Sequence, residues 1–252
     1  ALNYLEKDFD VEFKEENSPV TVADKKVNTL IISRITERFP EHNIVSEEAD
    51  DQRKGSKFTW YIDPIDGTAN YSHRDPSFAV SIALAEDNNV KYGCIYIPRL
   101  DEMYYAEEGK GTELNGKKIT VSDRKRLSEA LIHVGISTFE NTIGDSLKLL
   151  KRFMLRGERI KDSGFCAGQL AYVAVGRADG FIKISQHSWD VAAGMLLIKE
   201  AGGRVTDLQG NEVLMGKKRY NLIASNGKIH DEIKDNFEDL DIKIREENPW
   251  FA

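Results

Sequence analysis

The order of segments along the chain predicts an α+β fold. Short apolar runs succeed one another between residues 77 and 121, and segments with helical spacing lie before and after them rather than alternating with them. Asp87-Asn88-Asn89 and Asn115-Gly116 are hairpin signals, which join antiparallel neighbours directly. At 252 residues the chain is long enough for a large core, as one domain or two tightly joined halves. We read residues 1–252 as a single unit with an N-terminal α+β half over about 1–123 and a C-terminal α/β half over about 124–252.

Each element has its own local reason. Residues 1–13 are acidic and patterned like the end of a helix, and 14–19 form a polar, turn-rich loop. Val27, Leu30, Ile31, Ile35 and Phe39 recur at helical spacing, with Asp24 opening that helix and Pro40 ending it. Residues 44–46 read as a short strand delivering Glu47 and Glu48, of which only one can face a given site because adjacent strand residues point to opposite sides. Residues 49–57 read as a charged loop, and 58–62 as a buried strand. Strands follow at 77–86, 90–97, 103–106, 114–121 and 129–135, then a helix at 143–155. Residues 166–175 form a mostly apolar helix behind Gly164, and 180–185 a strand. Asp190 starts a helix over 191–201, closed by Gly202-Gly203, and Ala192, Ala193 and Gly194 point to close backbone packing. Late strands at 204–208 and 221–225 and a surface helix at 228–240 complete the order.

Composition narrows the function. A formal charge of −7 argues against general nucleic-acid binding. No run of about 18 apolar residues is present to span a membrane. Two cysteines, Cys94 and Cys166, make no disulfide framework, and with no secretory signal in view a reduced cytoplasmic setting is expected. Ala1 is not an initiator methionine, so a few leading residues are expected to be missing.

The chemistry concentrates in Trp60-Tyr61-Ile62-Asp63-Pro64-Ile65-Asp66-Gly67-Thr68. A buried strand runs into two carboxylates three residues apart, and Pro64 forces Asp63 out of the helical region. Gly67 lets backbone approach a ligand, and Thr68 suits the cap of the segment that follows. Hard carboxylate oxygens suit a divalent cation such as Mg²⁺, and free N–H groups at a helix start suit a phosphate. Two Asp near a turn are also ordinary turn formers. The Asp-x-Asp pattern of haloacid-dehalogenase-type phosphatases is set aside, because two residues separate the pair here.

This string resembles the signature of the inositol monophosphatase family, the Mg²⁺-dependent, lithium-sensitive sugar-phosphate phosphatases. Trp189-Asp190-Val191-Ala192-Ala193-Gly194, Val45-Ser46-Glu47-Glu48 and Val20-Thr21-Val22-Ala23-Asp24 resemble further family motifs, in the family's order. The resemblance implies a layered αβαβα sandwich, a homodimer, and a site holding two or three Mg²⁺. It implies that Glu47, Asp63 and the Ile65 carbonyl hold a first ion, and that Asp63, Asp66 and Asp190 hold a second. Asp24 and Thr68 would orient the attacking water, with Glu47 counted among the catalytic groups. The substrate would meet Asp66, Gly67, Thr68, Gly164, Phe165, Cys166, Lys183 and Asp190. Lys183 stands seven residues before Asp190, where the family has a hydroxyl-binding glutamate; a lysine there can meet a second phosphate or simply face solvent. A lysine in the 14–19 loop assists a further metal in the family, and Lys14 is its nearest match. The expected substrate is a small phosphate monoester, inositol 1-phosphate first. Fructose 1,6-bisphosphate, histidinol phosphate, a nucleotide 3′-phosphate or a non-catalytic role are the alternatives. Trp250-Phe251 is read as a docking element.

Overall fold

The computed structural model describes residues 1–5, 11–13, 19–136, 140–156, 159–237 and 240; Lys14 and Trp250-Phe251 lie outside them. The elements in order are α1 (Leu2–Leu5), β1 (Val11–Phe13), β2 (Pro19–Thr21), α2 (Val22–Arg38), β3 (Asn43–Ser46), β4 (Ala49–Gln52), β5 (Phe58–Asp66) and α3 (Thr68–Ser72). Then come β6 (Ala79–Glu86), β7 (Asn89–Ile97), β8 (Glu102–Glu107), β9 (Gly111–Leu114), β10 (Lys117–Ile119), β11 (Leu131–Gly135), α4 (Glu140–Leu155) and β12 (Arg159–Lys161). The last are α5 (Cys166–Ala174), β13 (Gly180–His187), α6 (Ser188–Glu200), β14 (Arg204–Thr206), β15 (Arg219–Ser225) and α7 (His230–Asp235).

Two sheets frame the molecule. The larger runs β10-β9-β8-β7-β6-β5-β3-β4 and is antiparallel except where β3 meets β5; the smaller runs β12-β11-β13-β15-β14. Helices α5 and α6 lie between the sheets and pack on both. Their side chains are apolar nearly all round, as a helix sandwiched between two sheets requires. Helix α2 covers the far side of the larger sheet at β5, through Ile35 against Ile44 and Ile62, while α4 and α7 cover the far side of the smaller. The order of layers is therefore α, β, α, β, α.

Small residues set the spacing around α6. A methyl group added at Gly194 would fall 2.5 Å from Leu170 on α5, and one added at Gly93 on β7 would fall 2.9 Å from the Ala193 carbonyl. That crowding is the close backbone packing expected from Ala192-Ala193-Gly194.

Several local expectations are corrected. Of the helix expected over residues 1–13, the described residues show Leu2–Leu5 as helix, whereas Val11–Phe13 is a strand paired with Pro19–Thr21. Ala49–Gln52 is a strand on the sheet edge rather than a loop; an exposed edge carries charged residues without cost, so composition concealed it. Strand β13 continues to His187, α6 begins two residues before Asp190, and the helix expected over 228–240 is only His230–Asp235 among the described residues.

Candidate active site

The acidic corner begins where β5 loses its register. Asp63 pairs with Ser81 on β6, but Asp66 pairs with Ala79, so three steps on β5 answer two on its neighbour. In a regular strand residues three apart face opposite sides; the extra residue brings Asp63 and Asp66 to the same one. Asp63 Oδ1 accepts the Ile65 N–H at 3.0 Å, closing a turn around Pro64. Gly67 follows at φ +89°, and an added methyl there would sit 2.9 Å from both Phe165 Cβ and the Ser77 carbonyl, so glycine is required twice over.

Asp66 reaches across to the start of α5. Its Oδ1 accepts the Cys166 N–H at 2.8 Å, and its Oδ2 accepts those of Ala167 at 2.7 Å and Gly168 at 3.3 Å. The helix thus receives from a remote carboxylate the cap that its own N-cap, Phe165, cannot supply. Asp190 arrives from the third position of α6, where His187 is the N-cap, and its Oδ2 accepts the His187 N–H at 3.2 Å.

Asp63, Asp66 and Asp190 are all buried and offer one oxygen each within 4.8 Å of one another. Burial, then Glu47, Asp190 and Asp66, holds the Asp63 carboxyl well above the ordinary range. Burial, then Asp190, pushes Asp66 up to about 8, and burial raises Asp190 as well. Three acids crowded into a dry corner resist ionising together unless a cation joins them. Hard oxygens in that number fit a divalent metal such as Mg²⁺. Glu47 stands at the end of β3, its N–H on the Ile62 carbonyl at 3.2 Å, and lines the same cleft without belonging to the close triad. Glu48 does not line it.

Asp24 satisfies two readings at once. It sits at the third position of α2 in a capping box with Thr21: Thr21 N–H donates to Asp24 Oδ2 at 2.8 Å, and the Thr21 hydroxyl reaches the same oxygen at 2.5 Å. Its other oxygen accepts from the Thr68 hydroxyl at 3.0 Å, while the Ile65 carbonyl lies 2.9 Å from that hydroxyl. Burial raises the Asp24 carboxyl above its usual range against these hydrogen bonds. Thr68 is not the cap of α3, a position held by Gly67; its hydroxyl is committed to Asp24 and Ile65 instead.

The cleft has a volume of about 260 Å³. Besides the acids it is lined by Ile136, Gly164, Lys183, Ser185, Gln186, His187 and Trp189. Lys183 lies along Gly135, where an added methyl would meet its Cδ at 2.1 Å, and its Nζ donates to the Ile136 carbonyl at 3.1 Å. It is therefore at the cleft rather than directed away from it. Phe165 and Cys166 are placed otherwise than expected. The Phe165 ring fills the space over Gly168, where an added methyl would come within 1.9 Å, and stands edge-on to Tyr172 in the core. Neither side chain lines the cleft; what Cys166 contributes is its backbone N–H to Asp66. Gln186 and Ser185 escaped the sequence reading, because nothing short of strand pairing reveals which way they face.

The description "Inositol monophosphatase family" matches residues 1–241. The chain belongs to the inositol monophosphatase family. It is 41% identical over 214 residues to a "Fructose-1,6-bisphosphatase/inositol-1-monophosphatase" of Thermotoga maritima, covering 85% of this chain and 80% of that one. An "Inositol monophosphatase" of Dictyostelium discoideum is 38% identical over 223 residues, covering 86% and 82%. Among solved structures, the extragenic suppressor protein suhB of Bartonella henselae superposes with a TM-score of 0.86 at 34% identity, over 94% of this chain and 91% of that one. The layered sandwich described above is accordingly the fold of the inositol monophosphatase family.

Proposed function

We propose that this protein hydrolyses the phosphate monoester of a small polyol or sugar in a Mg²⁺-dependent reaction, with inositol 1-phosphate the first substrate to test. One observation carries the reading: three buried carboxylates from two distant segments converge beside a Thr68 hydroxyl bound to Asp24. Family membership supports it. Asp63, Asp66, Asp190, Glu47 and the Ile65 carbonyl would hold two or three ions between them. When bound, Mg²⁺ supplies positive charge to the phosphoryl oxygens and acidifies a water.

The chain's own groups do the rest. The Thr68 hydroxyl donates toward Asp24 and so keeps its lone pairs for a water, which the pair orients in line with the phosphorus. Asp24, raised by burial, is the better proton acceptor for it. The N–H groups of Gly67 and Thr68, at the start of α3, hold phosphoryl oxygens as charge develops. Hydrolysis is direct, and no side chain carries the phosphoryl group. Residues 1–252 act as one unit, because the acids come from both halves. Lithium sensitivity, a homodimer and a cytoplasmic setting belong to the same proposal and rest on family membership; among the described residues no helix is long and apolar enough to cross a membrane.

Lys183 supports a second reading for the substrate. A lysine at the cleft, with no ion pair among the described residues and its stem accommodated by Gly135, can receive a second phosphate, so bisphosphates such as fructose 1,6-bisphosphate join the candidates. A phosphate-release panel over these esters, with and without Mg²⁺ and with lithium as competitor, tests both readings. Mg²⁺-dependent release from one or more is expected; release from none discards the enzyme assignment, and a phosphorylated side chain trapped in turnover discards the direct mechanism.

A further inference from the structure

Strand β13, which lines the cleft beside Asp190, contains a strained residue that this reaction leaves unexplained. Strand β13 pairs regularly with β15 as far as Lys183 with Leu222 and resumes at Gln186 with Tyr220, so three steps answer two. The extra residue is taken up at Ser185, whose φ of +58° lies in the left-handed region that a serine rarely occupies. Two side chains of β15 keep it there. Asn221 Oδ1 accepts the Ser185 N–H at 2.9 Å, and Arg219 Nη1 donates to the Ser185 carbonyl at 3.0 Å.

The consequence is a change of facing. Without the bulge Lys183 and Gln186 would point to opposite sides of β13, whereas both line the cleft. Gln186 Nε2 donates to Asp190 Oδ2, the oxygen that also takes the His187 N–H. Asp190 also shares a carboxyl–carboxyl hydrogen bond with Asp63, which a cation between the two would replace, and among the described residues no N–H group donates to its Oδ1.

We propose that Gln186 is a positioning residue for the cation, fixing Asp190 through Oδ2 so that Oδ1 is presented to an ion shared with Asp63 and Asp66, and that the Ser185 bulge is the device that aims it. The inference rests on the reading of the acidic corner as a Mg²⁺ site. An amide suits the task because it orients the carboxylate without cancelling the charge that attracts the ion, as a lysine in its place would. Losing such an outer partner commonly weakens a metal site about 10–100-fold.

Calorimetric titration of the metal-free protein with Mg²⁺ tests this directly. Gln186→Met keeps the length and removes the donor; its Mg²⁺ affinity should fall about 10–100-fold. In steady state the Mg²⁺ concentration for half-maximal rate should rise by more than kcat at saturating Mg²⁺ falls. Ser185→Gly, which adopts the left-handed conformation freely, should keep wild-type affinity, and Ser185→Val should lose it as Gln186→Met does. This pair tests the bulge should Gln186→Met not fold. Unchanged affinity in Gln186→Met or in folded Ser185→Val overturns the proposal while leaving the hydrolase reading intact. A wild-type protein that binds no Mg²⁺ overturns that earlier reading instead.

Discussion

In β5, one extra residue brings Asp63 and Asp66 to the same side; in β13, which also lines the cleft, one extra residue does the same for Lys183 and Gln186. The two bulges differ in what holds them. Pro64, Gly67 and a turn within three residues shape the first, and its carboxylates are anchored by backbone N–H groups of Ile65, Cys166, Ala167 and Gly168. Side chains from a different strand, Asn221 and Arg219, hold the second. Backbone anchors survive most changes of sequence, whereas a wall held by side chains can be re-aimed by one substitution. The β13 bulge serves two tasks on this reading, Gln186 toward the cation's ligand Asp190 and Lys183 toward the substrate.

The comparison breaks most directly at Asp66. Asp66→Asn should lower Mg²⁺-dependent phosphate release by at least about 100-fold, the upper range for losing a mere outer partner of a metal ligand. Metal-free Asp66→Asn should melt only slightly lower than wild type, by about 1–3 kcal/mol of stability, because one amide oxygen can replace only one of the two oxygens that accept N–H groups from α5. A metal-free variant that melts far lower would show that the carboxylate is a structural cap before it is a ligand.

Thr68→Ala should reduce kcat about 100-fold, as expected for losing a group that orients water and relays its proton, with Thr68→Ser retaining most of the rate. Equal losses in the two variants would remove the hydroxyl from the mechanism.

Packing predictions come next. Gly168→Ala collides with the Phe165 ring and should destabilise by about 1–3 kcal/mol in denaturant unfolding. Phe165→Leu should lower stability without reordering preferred substrates, since the ring faces the core; a reordering would return Phe165 to the cleft.

The acids also make stability depend on pH. Asp66 is raised in the folded protein from 3.8 to about 8, so between those values the metal-free fold binds more protons than the unfolded chain. Stability from this group is complete below its unfolded value and is lost as pH rises toward about 8. The melting temperature without metal should fall across that window, and the rise produced by Mg²⁺ should be larger at its alkaline end, because the ion needs the ionised acids. A Mg²⁺ effect that shrinks with rising pH would contradict the metal assignment.

The smallest effect concerns Lys183 and the glycine it lies along. Gly135→Ala should displace the flexible Lys183 stem and shift the ratio of kcat/KM for bisphosphates over monophosphates a few-fold, in the same direction as Lys183→Glu. Unchanged ratios in both variants discard the second-phosphate reading.

Legibility followed the same division. Asp63, Asp66 and Thr68 could be read from a string of nine residues because the turn that positions them is made by its own Pro64 and Gly67. Asp24 looked like a helix-start acid and is one, yet its bond to Thr68 joins residues 44 apart and depends on how α2 lies on β5. Phe165 looked like a pocket residue by position, but the missing side chain at Gly168 opened a space in the core that the ring fills. Gln186 gave no local signal, since a strand residue's facing depends on pairing, and the pairing slips just before it.

By itself, the sequence determined the chemistry of the acidic corner, the succession of strands and helices, and the family, because turn geometry and residue spacing are local properties. Tertiary structure alone decided that Gln186 holds Asp190, that Lys183 and Gln186 share a face, and that Phe165 leaves the cleft. Those outcomes turn on register and on which small residues leave room, quantities that exist only once remote segments are packed together.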